Sequence, residues 1–409
     1  MVSAAIDFGT TNSVIAYVKD NKIKMVPLNG RLLESKSVLF YDFEERSFSV
    51  GQEAINALQA GEIGRFFVAL KSFLGTKEEI ETTLQGKTYT ISQLIAIILK
   101  SFKRVLENEA KESINRVVLG RPVNFNDNSK ELDKLAQLRL ESAAKLAGFK
   151  EVIFEYEPIA AALTYTKDIK KKQKILIADI GGGTTDYTVV EINGNKKNIL
   201  STSGVYIGGN SFDKKIIQNY VSYYLGKDSK YVNMGKTLSV DSRFYADLSE
   251  YHKFQTMYDV EIINSIKKLH SMSKEKDKIQ RLIELIEQRL YFDFIEAISG
   301  AKIELSKIDL ATIDMSFFTN PFSLNLSKEQ FNNSINFELK EIERAMQEAL
   351  KRANLLYSDI DRVFLTGGST LTPAVRAIYY RYFDESKIEY SNAFSSVGYG
   401  LALKAKEIF

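Results

Sequence analysis

The chain has 409 residues, 44% hydrophobic and 26% charged, enough for two or three domains or one two-lobed enzyme with large cores. Its 55 Lys and Arg against 52 Asp and Glu leave a formal charge of +3, too balanced to argue for a nucleic-acid or anionic-membrane partner. The absence of cysteine excludes disulfides and thiolate chemistry, and the two histidines, His252 and His270, stand in no metal-ligand spacing and read as surface or packing residues.

In chain order, a strand begins at once, with no basic segment leading into an apolar one. Ala4-Ala5-Ile6 delivers Asp7, then Phe8-Gly9-Thr10-Thr11-Asn12 turns the chain and an alternating apolar strand resumes from Ser13 to Val18. Residues 35–93 mix short strands with one helix near Gly51 to Leu58. A strong helix follows over 92–112, whose apolar run Leu94 to Leu99 is far shorter than the ~20 residues that cross a bilayer. The chain therefore reads as soluble and cytoplasmic. Arg116 to Gly120 is a strand, Ser129 to Ala147 a helix ending at Gly148, and Glu151 to Glu155 a further strand.

The basic run Lys167, Lys170, Lys171, Lys172, Lys174 reads as a solvated connector. Beyond it the first pattern returns: Ile175-Leu176-Ile177-Ala178 delivers Asp179, Ile180-Gly181-Gly182-Gly183-Thr184-Thr185-Asp186 turns, and Tyr187 to Ile192 runs back. A mostly helical stretch, 212–305, carries the stripe Ile279, Leu282, Ile283, Ile286, Leu290, read as the core face of a helix. A third glycine turn, Thr366-Gly367-Gly368-Ser369-Thr370, follows a buried strand and leads into a helix near Pro373. Strands alternating with helices predict an α/β architecture.

Two Asp-Gly-Thr hairpins facing each other have a chemical use. Backbone N–H groups at glycines approach phosphate closely, and Thr and Ser hydroxyls add donors. An Asp beside phosphate repels it unless a hydrated Mg²⁺ intervenes, and Mg²⁺ is held by one or two carboxylates plus phosphates. Asp7 and Asp179 are thus placed as ligands of Mg²⁺-bound water.

With these motifs in view, the chain resembles the nucleotide-binding domain of the DnaK-type heat-shock chaperones, within the actin and hexokinase superfamily. The resemblance rests on Ile6 to Ser13, Asp179 to Asp186, Glu157-Pro158-Ile159-Ala160-Ala161-Ala162-Leu163, Gly208-Gly209-Asn210-Ser211-Phe212-Asp213 and Gly367 to Thr370, and covers almost the whole chain. It implies an actin-like ATPase fold: duplicated ribonuclease H-like domains in two lobes, each with an inserted subdomain. Lobe I would span 1–168, with an insert at 35–93 and the C-terminal helix of 391–409 folded back on it. Lobe II would span 169–390, with a helical insert at 214–298. The resemblance also implies ATP or ADP with Mg²⁺, held by Gly9, Thr10, Thr11, Asn12, Gly181, Gly182, Gly183, Thr184, Gly208, Gly209, Lys302, Gly367, Gly368 and Ser369. Lys71 would position the attacking water, with Glu157 and Asp186 orienting water and metal shell.

Two departures stand out. Of the glutamate, lysine and arginine on the family's adenosine-binding helix only Lys302 is kept: Ser299 stands for the glutamate and Ile303 for the arginine, while Leu371 replaces a second stacking arginine. An apolar sandwich still holds a purine, but cation–π stacking is lost. The chain also stops at Phe409, before the family's linker and peptide-binding domain. Tyr245 to Phe254, with a long helix to Ala297, is similar to the YegD-like branch of stand-alone chaperones. The expectation is a monomeric, slow ATPase whose nucleotide state governs an unidentified protein partner or client, without nucleic acid or membrane. Two readings stand beside it: an actin-like filament protein, which ATP-dependent pelleting would reveal, and a small-molecule kinase of the same superfamily.

Overall fold

The structure, a computed structural model, describes residues 2–28, 30, 32–126, 129–164, 172–194, 196–240, 242–246, 248, 254–390 and 396–409. Lys167, Lys170, Lys171, His252, the 168 boundary and the first residues of the expected C-terminal segment lie outside them.

Two large sheets organise the chain. In the first the strands lie in the order Lys22–Val26, Asn12–Lys19, Ser3–Phe8, Arg116–Arg121, Glu151–Tyr156; in the second Lys196–Val205, Thr185–Asn193, Gln173–Ile180, Arg362–Thr366, Ile388–Tyr390. Each begins as an antiparallel meander of three strands and continues with two parallel ones. The duplication seen in the hairpins therefore extends to whole sheets. Strands covered on both faces become continuous apolar runs, as in Ile175 to Ala178, which is fully buried.

Each sheet has its own core. Ile6, Phe8, Leu119 and Phe102 belong to one; Leu176, Ile180, Phe212 and Leu365 belong to the other. The helix Ile91–Ala110 begins with a capping box between Thr90 and Gln93 and packs on Lys130–Leu146, which Ser129 caps and which gives way to Gly148 at φ 96°.

The stretch 212–305 is less uniformly helical than its composition suggests. It includes a hairpin of Lys230–Asn233 with Lys236–Ser239. The long helix expected to reach Ala297 is two helices, Lys276–Glu287 and Tyr291–Glu304, separated at Arg289 with φ 57°. Tertiary contacts explain the break. Arg289 donates to the Glu62 carbonyl at 2.8 Å, Phe292 meets Phe66 edge-on with ring centroids 5.2 Å apart, and Gln59 donates to Asp293 at 3.4 Å. Residues at the break thus touch the segment between the first sheet's strands. Ile279, Leu282, Ile283 and Ile286 are buried as the stripe predicted, with Leu290 packed against them.

The last helix, Ser396–Ile408, lies on the first sheet and on the helix Glu157–Leu163, with Val397, Leu401, Ala402 and Ala405 packed on Ala5, Ala16, Val118, Ala160 and Ala161. Any side chain at Gly400 would collide with the Ala160 carbonyl, so this close crossing requires glycine. No helix among the described residues is long and apolar enough to cross a membrane.

Candidate active site

Both hairpins present their acidic residue at the end of a central strand. In the first, Asp7 lies opposite Val14; in the second, Asp179 lies opposite Asp186. Both Asp7 and Asp179 keep partial solvent access but are enclosed by protein. Burial, then the Glu157 charge, raises Asp7 to about 7 against the pull of Lys71. Burial, then the charges of Asp186, Glu157 and Asp7, raises Asp179 to about 8, again opposed by Lys71. Glu157 and Lys71 thus act on both aspartates, and Asp186 acts on Asp179.

Lys71 Nζ donates to Glu157 Oε1 at 2.5 Å, with the lysine 7% and the glutamate 17% exposed. Lys71 sits in a short 3₁₀ turn, Leu70–Phe73, entered through Ala69 at φ 54°. A left-handed conformation is uncommon for a residue with a Cβ, and no sequence signal announces it. Glu157 opens the helix that follows the strand Glu151–Tyr156. Gly120 makes room between the two carboxylates: a Cβ there would stand 3.2 Å from Glu157 Cγ and 3.6 Å from Asp7 Oδ1. Gly204, opposite Asp186 in register, serves likewise, because a Cβ would come within 2.9 Å of Asp186 Oδ1. Sequence reading missed both, although glycine inside an apolar strand signals close approach.

The glycine loops converge. A Cβ on Gly182 would lie 3.1 Å from Thr11 Oγ1, which brings the second loop against the first. At Gly9 a side chain would strike the Asn12 carbonyl, so Gly9 to Asn12 forms a tight turn, with Thr10 at its half-exposed tip. Gly181 N donates to Thr184 O at 2.9 Å, and Thr184 Oγ1 donates to Asp186 Oδ2 at 2.9 Å. The Gly181 carbonyl accepts from Gly209 N at 3.0 Å and from Ser369 Oγ at 2.7 Å. Gly208 touches Gly182 so closely that a Cβ would come within 2.7 Å, whereas Gly183 is open on all sides. Gly367, at φ 85°, passes Asp179 where a Cβ would meet Oδ1 at 2.8 Å, and Gly368 opens the 3₁₀ turn that carries Ser369.

Lys302 joins the same group. Its ammonium donates to Asp213 Oδ2 at 2.8 Å and to the Gly209 carbonyl at 3.2 Å. Asp213 Oδ1 is buried and has no hydrogen-bond partner among the described residues. Ile303, next to Lys302, and Leu371, two residues past Ser369, are 57% and 44% exposed.

Arg121, also missed, is buried and fixes the loop before Asn124: both Asp133 oxygens accept from it at 2.9 Å, and the carbonyls of Pro122 and Val123 accept at 3.0 and 3.1 Å. A cavity of about 40 Å³ reaches from Glu157, Asp179 and Asp186 to Asn124 and Thr202, room for water. His270 lies half-buried in the last turn of Val260–Met272. Among the described residues no three acids or histidines form a ready-made metal cage. The donor set suits a hard cation held by a few carboxylates through water and by ligand oxygens.

The description "Hsp70 protein" matches residues 3–309 and 256–408. The chain is similar to "Chaperone protein dnaK" of Cyanidium caldarium, at 28% identity over 98% of this chain and 59% of that protein. The protein of that name in Cyanidioschyzon merolae is 27% identical over 98% and 61%, and that of Cyanophora paradoxa 26% over 98% and 59%. The chain spans about three fifths of the length of these relatives.

Proposed function

The chain belongs to the Hsp70 family and has its actin-like ATPase fold, and from that premise we propose that it binds Mg-ATP between its lobes, hydrolyses it slowly, and signals its nucleotide state to a protein partner. The observation that carries this reading is the packing of the two equivalent hairpins, Gly182 against Thr11, with Asp7 and Asp179 at their strand ends and the Lys71–Glu157 pair acting on both. In this reading the backbone amides of Gly9 to Asn12 and Gly181 to Thr184 cradle the phosphates, because glycine leaves no Cβ between amide and oxygen. Asp7 and Asp179 would hold Mg²⁺ through its water, and the bound cation would supply charge neutralisation on the phosphate oxygens. Lys302, Gly208, Gly209 and Gly367 to Ser369 would line the nucleoside end, with Ile303 and Leu371 giving the base an apolar sandwich in place of stacked guanidinium groups.

Hydrolysis converts ATP and water to ADP and phosphate, and such transfer depends on position and electrostatics more than on covalent chemistry. Lys71 is held at 2.5 Å by Glu157 and is largely shielded from solvent, so its ammonium has one orientation. We assign Lys71 to orient the attacking water towards the terminal phosphate and Glu157 to accept a hydrogen bond from that water. Thr184 fixes one oxygen of Asp186 at 2.9 Å, and we assign Asp186 to order the water shell.

The partner reading is a chaperone-type switch of the YegD-like kind. It requires a partner that distinguishes open from closed lobes, since a ligand blind to the difference shifts nothing. Single-turnover hydrolysis of Mg-ATP by the purified chain, beside Lys71→Ala, tests the proposal. Slow turnover abolished by the substitution, with nucleotide binding intact, supports it. Absence of nucleotide binding in the unaltered chain overturns it.

A further inference from the structure

A lysine outside every motif stands at the mouth of the first phosphate hairpin. The short strand Glu34–Lys36 adds to the edge of Asn12–Lys19, with Lys36 directly opposite Asn12. Ser37 N donates to the Thr11 carbonyl at 2.9 Å, which locks that register at the turn itself. Directly opposed residues of an antiparallel pair project to the same side, with Cβ atoms about 5 Å apart. Ser35 and Ser37 point inward and are buried, while Lys36 between them is exposed. Its side chain therefore emerges beside Asn12 and the Gly9 to Thr11 turn.

From there it faces the other lobe. Lys36 interacts electrostatically with Lys302, Asp213 and Glu296, and with Glu34 on its own strand. Although its side chain reaches solvent, the protein around it lowers its affinity for a proton, and Lys302 adds to this while Glu34, Asp213 and Glu296 oppose it. Lys302 has a bonded counter-ion in Asp213, whereas no ion pair or hydrogen bond is made by the Lys36 ammonium among the described residues. Gly182 packs against Thr11 and its carbonyl accepts from Asn210 N at 2.7 Å, while Lys302 donates to the neighbouring Gly209 carbonyl, so the two lysines flank the joined glycine loops from the two hairpins.

We infer that Lys36 is an anion-binding residue of the nucleotide cleft, contributed by the inserted edge strand, and that it holds the polyphosphate of the bound nucleotide at the first hairpin. The inference rests on the nucleotide-binding reading above. It places a cation in a cleft whose two stacking arginine positions are Ile303 and Leu371, so charge lost at the base end is supplied at the phosphate hairpin. A charge-assisted contact of this kind is strong enough to be read in affinity.

Titration calorimetry with ATP, ADP and adenosine on the full chain, on Lys36→Gln and on Lys36→Arg tests it. The inference expects Lys36→Gln to weaken ATP and ADP about tenfold, to leave adenosine unchanged, and Lys36→Arg to restore the phosphate-dependent affinity. Unchanged or tighter ATP binding in Lys36→Gln overturns it, because the lysine would then only repel Lys302. Equal loss for adenosine and ATP also overturns it, as that marks a structural role. If the unaltered chain binds none of the three, the nucleotide reading itself fails, and the experiment separates that outcome from the others.

Discussion

Asp179 lies directly opposite Asp186 in the second hairpin, whereas Asp7, its counterpart in the first, lies opposite Val14. The two sheets repeat one another, but their acidic tips do not. The second hairpin brings two carboxylates into register by itself. The first brings one and recruits Glu157 from the parallel side of the sheet, where Gly120 leaves space for it. The negative charge is therefore weighted towards the second hairpin, and Lys71 balances the first.

This arrangement predicts a pH dependence. Asp7 and Asp179 titrate at about 7 and about 8 in the folded chain, above the ordinary value of 3.8. The folded state thus binds more protons than the unfolded state between these limits, so its stability falls as pH rises through them. Melting temperatures of the nucleotide-free chain are expected to be lower near pH ~8.5 than near pH ~6, and Asp179→Asn should flatten that slope. Saturating Mg-ADP should also flatten it, because a bound cation favours the ionised carboxylates. A slope unaltered by Asp179→Asn would assign the effect elsewhere.

Lys71→Ala should reduce single-turnover hydrolysis by about 10² or more while changing ATP affinity little. The same substitution leaves Glu157 without its 2.5 Å partner. Glu157→Gln, which keeps the shape and removes the charge, should give a comparable rate loss. Retention of full turnover in either variant would exclude the pair from the chemistry.

Leu371→Arg and Ile303→Arg address the base end. Both positions are solvent-exposed, so an arginine is accommodated without burying charge. A guanidinium over a purine contributes about 0.5–1 kcal/mol at an exposed site. Each variant should tighten ADP binding roughly threefold, as read by calorimetry, and weakened binding by both would remove the apolar sandwich.

Gly400→Ala tests the seat of the last helix. Its Cβ would overlap the Ala160 carbonyl, a backbone atom that cannot rotate away. A loss of about 1–3 kcal/mol is expected in urea unfolding. Gly61→Ala is a weak control, since Gly61 has open space but a φ of 76°. Gly183→Ala, open and without that constraint, should leave stability nearly unchanged.

Much of the site was legible because its chemistry is local. An Asp at the end of an apolar strand, followed at once by Gly and Thr, specifies a tight turn with an acidic residue at its base within ten residues, and it recurs at Asp179. The glycine turn at Gly367 and the capped helix after Ser129 are equally local, governed by the conformations that Gly permits and by a side-chain oxygen near free amides. Lys71 and Glu157 were identified through family resemblance, and only the folded chain gives their 2.5 Å contact.

What the sequence by itself determined is the alternation of strand and helix, the repeated hairpin and the residue types at its tips, since these follow from periodicity and turn chemistry along a few consecutive positions. Tertiary structure alone decided where remote segments meet. It broke the helix at Arg289 so that Phe292 reaches Phe66, set Gly400 against Ala160, and brought Lys36 opposite Asn12 and within the field of Lys302. Such pairings depend on the packing of two sheets and their helices over long sequence separations, and no single segment carries the distance between itself and its partner.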